Sequence, residues 1–196
     1  MFSLSKKLSP TITDMIRFDH SHVLVTFHQY TADKNPKVRK ALADTICNAL
    51  EIHATLEEEI FYPAMEMLDA QNDVLQKSVP EHQEMRELIA ELRATSASSS
   101  RHNEIVMQLM RDVIHHVADE ETVLLPKAEL TYNKDRLSEL GVQMTKRRLE
   151  LVAPKAGKIA MDTAIGFSGS TMAWIAGSAA VMLALKRLAK PRAEIR

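Results

Sequence analysis

Cysteine is almost missing from this chain. Cys47 is the single one among 196 residues, so no intramolecular disulfide can form and the chain suits a reducing compartment. The expected place for that thiol is a small buried apolar site. Glycine (5) and proline (7) are scarce, and aromatic residues make up 5%. Ala, Leu, Glu, Met and Lys dominate, which favours helix over sheet and predicts an all-α fold. The net charge of -1 hides an asymmetry: residues 1–163 carry 20 Lys+Arg against 25 Asp+Glu, and residues 164–196 carry five against one. A mildly acidic body with no basic stripe or aromatic platform excludes nucleic acid as an expected partner. The first ten residues lack the apolar core of a secretory signal, so the body is expected to be cytoplasmic.

What is present is periodic. After Ser9-Pro10, the residues Ile12, Met15, Ile16, Val23, Leu24 and Phe27 share a helical stripe that fades at Thr31–Asn35. Asn35 as cap and Pro36 at the first helical position open a second helix through Leu42, Ile46, Leu50, His53 and Ile60, which Pro63 is expected to interrupt. Ser78-Val79-Pro80-Glu81 reads as the start of a third, carrying Met85, Leu88, Ile89 and Leu92. The polar stretch Thr95–Asn103 reads as a loop with His102 solvated, and a fourth helix runs from about Glu104 to Leu125. Four helices with short connections predict an antiparallel up-and-down bundle over residues 11–130.

Residues 131–157 have the pattern of an amphipathic helical connector ended near Pro154, and 158–196 form a C-terminal helical region with a basic tail. Positions 164–185 run without a charge, long enough to cross a bilayer, so this segment is a candidate tether to the inner membrane. Gly169, Ala173 and Gly177 form a small-residue ridge suited to close helix pairing, and hence to a homodimer through the tail; Lys186, Arg187, Lys190 and Arg192 flank it. A helix packed on the bundle is the alternative.

The chemistry lies in a repeat. His53-x-x-x-Glu57 and His116-x-x-x-Glu120 share one spacing, and each is preceded by an acid-histidine pair, Asp19-His20 and Glu81-His82. From His20 to His53 is 33 residues and from His82 to His116 is 34, while Pro63 and Pro126 each follow the later histidine by ten. The chain therefore reads as two copies of one helical hairpin. On an α-helix, residues four apart lie within about 40° of each other, so each His-Glu pair can grip one metal centre. Four imidazoles and two carboxylates exceed the needs of one structural zinc, and two metal ions fit better. Imidazole with carboxylate suits iron, manganese or zinc. The candidate ligands are His20, His53, Glu57, His82, His116 and Glu120. His115-x-x-x-Asp119 has the same spacing, but the distance to proline selects His116. Asp19, Glu58, Glu59, Glu81 and Glu121 are candidates to orient ligands or to face solvent, and His22 and His28 are expected at the surface or beside the site.

Together Asp19-His20, His53-x-x-x-Glu57-Glu58 with Ile60-Phe61-Tyr62-Pro63, Glu81-His82, and His116-x-x-x-Glu120-Glu121 with Leu124-Leu125-Pro126 resemble the hemerythrin-like, or HHE cation-binding, family. The resemblance implies a four-helix bundle around two non-haem iron ions, capped by histidines and bridged by the two glutamates and a solvent-derived oxo or hydroxo group. It implies binding of oxygen, nitric oxide or a related small oxidant such as peroxide, in sensing, stress response or carriage. The alternatives are a peroxidase-like or iron-donating di-iron enzyme, or a membrane-tethered metal-responsive adaptor. The pattern departs at Arg86, where oxygen-carrying members of the family have a further histidine. That predicts an open position, or one taken by Glu58 or Glu121.

Overall fold

The computed structural model describes residues 10–168, which are helical and contain no strand. The helices are α1 (Ile12–Gln29), α2 (Pro36–Leu56), α3 (Tyr62–Asp69), α4 (Asp73–Ala94), α5 (Ser100–Asp119), α6 (Leu125–Thr131), α7 (Lys134–Val152) and α8 (Ala156–Gly166). Side chains that satisfy orphan amides set most starts. Thr11 and Asp14 form a reciprocal capping box on α1, and Asn35 accepts the Lys37 amide ahead of Pro36 on α2. The third long helix begins earlier than Ser78: Asn72 accepts the amides of Val74 and Leu75, and Pro80 sits inside α4 on its exposed side. The fourth also begins earlier, at Ser100, because Ser99 accepts the His102 amide.

Neither Pro63 nor Pro126 ends its helix. Each follows a π-helical turn, Glu57–Phe61 and Glu120–Leu124, and then lies in the first turn of the next α-helix. The Tyr62 amide donates to the Glu57 carbonyl and the Leu125 amide to the Glu120 carbonyl, five residues back instead of four. A proline has no amide hydrogen for the usual bond, and the widened turn carries the helix past it.

The apolar residues form two clusters. One holds Val23, Phe27, Leu42, Ile46, Leu50, Met85, Ile89, Leu109 and Val113; the other holds Ile12, Ile16, Leu56, Phe61, Met65, Leu124, Leu125, Leu140 and Met144. Along the chain His20 falls between Ile16 and Val23, and His116 between Val113 and Leu124. A polar layer is thus sandwiched between two dry ones. α1 packs on α2 and α5, and α4 on α2 and α5. The stretch read as a connector is packed as well: α7 lies on α1 and α2, and α8 on α2. Gly141 permits the first contact, because a methyl group there would collide with the Pro10 carbonyl oxygen.

Among the described residues no helix is long and apolar enough to cross a membrane. Most of the uncharged segment 164–185, with its small-residue ridge and basic flank, lies outside the described residues.

Candidate metal centre

Six side chains meet in the polar layer. His20 comes from α1, His53 from the last turn of α2, His82 from α4, and His116 from the last turn of α5, while Glu57 and Glu120 open the two π-turns. Both glutamates are 0% exposed. Their carboxylates meet the inward Nε2 atoms of the imidazoles: His20 to Glu120 at 3.2 Å, His53 to Glu57 at 3.1 Å, and His82 to Glu57 and His116 to Glu120 both at 3.5 Å. The ligand atoms of His20, His53, Glu57 and Glu120 lie within 4.8 Å of one another, as do those of Glu57, His82 and His116, so both groups could hold a metal ion and Glu57 belongs to both. His115, one residue from His116, is exposed on the other side of α5.

The proximity does not satisfy these atoms. His20 Nε2, both ring nitrogens of His53, Glu57 Oε1 and Glu120 Oε2 are buried without a hydrogen-bond partner, although several lie within ion-pair distance, because their directions do not line up. Burying such groups unpaired is costly, and lone pairs converging on one spot are what a cation would satisfy. The residues present fit a metal pair.

Residues 11–140 match the profile of the hemerythrin HHE cation binding domain. The chain belongs to that family. It is also 32% identical over 120 residues to a DNA nickase of Nostoc sp., an alignment that covers 61% of this chain and 34% of the nickase. The chain thus spans about a third of that relative's length. No solved structure matches it.

Around the hemerythrin-like centre the outer ring nitrogens face carboxylates. His20 Nδ1 meets Glu121 at 2.9 Å, His82 Nδ1 meets Glu58 at 2.9 Å, His116 Nδ1 meets Glu81 at 2.8 Å, and Asp19 faces His53 Nδ1 at 3.5 Å. An acid on Nδ1 holds the proton there and leaves Nε2 free to point inward. Glu58 and Glu121 thus stand outside the ring of histidines. Arg86 also stays outside and donates to Glu58 at 2.8 Å. Glu59 faces away and pairs with Arg147 on α7.

Two buried side chains were missed in the sequence. Tyr62 is 2% exposed and donates its hydroxyl to Glu120 at 2.8 Å, with Glu57 at 3.4 Å and His82 at 3.3 Å. Its position five residues after Glu57, just before the proline, was the available signal. His102, expected in solvent, is 2% exposed and bonds the Tyr30 hydroxyl at 2.9 Å. Starting α5 at Ser100 turns that histidine inward.

The titration behaviour follows from crowding. Burial, and then the neighbouring Glu120, push the Glu57 carboxyl well above its ordinary range. Burial raises Glu120 too, but His116, His20 and His53 outweigh it and hold that carboxyl low. Burial with His116 and His53 alongside pulls His82 down to about 4. Burial and the two glutamates push the Tyr62 phenol up, so it stays a donor. The two carboxyl groups are thus pushed in opposite directions by the same dry layer.

Proposed function

We propose that the protein is a non-haem di-iron protein that binds oxygen, nitric oxide or a related small oxidant. The supporting observation is the gathering of buried ligand atoms into two groups that share Glu57, with the atoms of the His20, His53, Glu57 and Glu120 group left without hydrogen-bond partners and His82 and His116 meeting through their Nε2 atoms at 3.1 Å in the other. In this reading His20, His53, Glu57 and Glu120 hold one iron, and His82 and His116 with Glu57 hold the other. α1, α2, α4 and α5 form an antiparallel four-helix bundle around them, a reading favoured by their pairwise packing and short connections. When bound, a ferrous pair supplies electrons and an open position for a diatomic ligand.

The chain's own residues do the rest. The outer carboxylates fix each ring, and the two apolar clusters keep bulk water out, so fewer competing ligands reach the centre. Beside the four histidines lies a cavity of about 10 Å³ walled by Val23, Leu50, Ala54, Met85, Val113 and Val117. That volume is about what one water-sized molecule requires, which leaves no room for an organic substrate among the histidines. Tyr62 holds a hydroxyl proton against Glu120 inside this dry layer. That donor also favours a second reading, peroxidase-like turnover, in which a proton must be delivered to a bound oxidant.

DNA is not part of the proposal. Residues 1–163 carry 20 basic against 25 acidic side chains, and surplus negative charge repels a phosphate backbone. The test is anaerobic purification, iron analysis, and optical spectra on adding oxygen, nitric oxide and peroxide separately. A reversible charge-transfer band with oxygen or nitric oxide is expected, whereas rapid peroxide loss over many turnovers assigns the enzyme reading. His53→Ala and His116→Ala should each fall below two equivalents of iron, and unchanged iron content in both would remove the proposal.

A further inference from the structure

Two of the outer carboxylates are themselves held by arginines. Arg148, on α7, grips Asp19 with both terminal nitrogens, Nη1 to Oδ1 and Nη2 to Oδ2, each at 2.5 Å. Asp19 in turn faces His53 Nδ1 at 3.5 Å. Arg86, on α4, donates to Glu58 Oε2 at 2.8 Å, while the other oxygen of Glu58 meets His82 Nδ1 at 2.9 Å. His53 belongs to one metal-holding group and His82 to the other. Each group therefore has an arginine outside it, reaching one imidazole through one carboxylate.

We propose that Arg148 and Arg86 are positioning residues, one for each half of the paired centre; this rests on the two-ion reading above. The Arg148 fork fixes the plane of Asp19, Arg86 anchors Glu58 by one bond to the oxygen that His82 does not use, and each carboxylate then restrains the ring whose Nε2 must point inward. Arg148 lies beyond the family match, which stops at residue 140, so α7 adds a support for His53 that the matched region does not contain. The neighbouring Arg147 provides an internal comparison. It also ties α7 to the bundle through a two-point pair, with Glu59 at 2.6 and 3.0 Å, but the sequence places Glu59 two residues past Glu57 and it meets Arg147 outside the ring of histidines. If these arginines only pinned α7 in place, Arg147 and Arg148 would be equivalent.

The experiment titrates Fe(II) anaerobically into the full-length protein against a chromophoric chelator. Wild type should take up two equivalents. Arg148→Ala should weaken one equivalent by about 10- to 100-fold and leave the other unchanged, the range seen when a metal ligand loses its outer partner. Arg86→Ala should do the same, Arg147→Ala should match wild type, and Arg148→Lys should recover part of the loss. In a His53→Ala background the Arg148→Ala effect should vanish while the Arg86→Ala effect persists, because Arg148 acts through His53. Asp19→Asn, which preserves shape, should reproduce Arg148→Ala, and matching far-ultraviolet dichroism keeps folding out of the comparison. Identical binding by Arg147→Ala and Arg148→Ala, or an Arg148→Ala effect undiminished by His53→Ala, overturns the proposal. A wild-type protein that does not take up two equivalents overturns the two-ion reading itself.

Discussion

Removing the cations should cost this protein much of its stability. Four buried atoms that face the centre lack partners: His20 Nε2, His53 Nε2, Glu57 Oε1 and Glu120 Oε2. An unsatisfied buried polar group costs about 1 to 3 kcal/mol, so the set costs about 4 to 12 kcal/mol, comparable to the whole stability of an ordinary domain. Cations at a thousandfold excess over their dissociation constants return about 4 kcal/mol per site, or about 8 kcal/mol for two. At about 2 to 4 °C per kcal/mol for a chain of this size, the melting temperature should rise by about 16 to 32 °C from chelator-stripped to Fe(II)-loaded protein. Scanning calorimetry under anaerobic conditions measures it. The variant carrying Glu57→Gln and Glu120→Gln should show no rise with Fe(II), because both groups of ligands lose their carboxylates. A melting temperature indifferent to iron in wild type, or an equal rise in the double variant, would refute this account of the centre.

Three further outcomes are expected. Tyr62→Phe should keep both irons but lose about 1.5 to 3 kcal/mol in the stripped protein, the worth of a hydrogen bond to a charged group, as read from urea midpoints. Gly141→Ala should cost about 1 to 3 kcal/mol by the same measurement, since the methyl meets the backbone of Pro10, which cannot move aside as a side chain could. Asp44 joins α2 to α8 through Lys158 at 2.6 Å; burial raises its carboxyl, but Lys158 and Lys40 outweigh that and hold it below the usual range. A depressed acid stabilises above its unfolded value of about 3.9 and loses that contribution as the pH falls through the folded value. Amide exchange in α8 should therefore accelerate below about pH 4 in wild type, and Asp44→Asn should exchange fast already at neutral pH.

The helices were legible because apolar spacing and Asn35-Pro36 are local signals. The π-turns were not, because a uniform α-helical step along the sequence makes Pro63 a stop, and the one-residue widening that passes it leaves no local signal. Asn72 was overlooked because Ser78-Val79-Pro80-Glu81 imitates a helix start, while the real cap lies further back. At the centre, the repeated spacing brought out the six residues that the structure gathers around Glu57 and Glu120. The acids beside them were visible as neighbours, but which imidazole each would serve depends on packing between helices distant in sequence. Arg148 is the extreme case: its partner Asp19 lies 129 residues earlier, and no motif links them. His102 was misplaced for the same reason, since Tyr30, which bonds it, lies 72 residues away.

The acids and histidines are also exchanged between the hairpins. Glu58 stands on the first hairpin yet serves His82 of the second, and Glu121 stands on the second yet serves His20 of the first. Neither half holds a full set of partners for its own imidazoles. Separately synthesised halves would each be incomplete, and mixing them should restore what neither has alone. During synthesis the first hairpin must wait for the second to emerge, so a complete set of histidine–acid pairs certifies that both hairpins have been made.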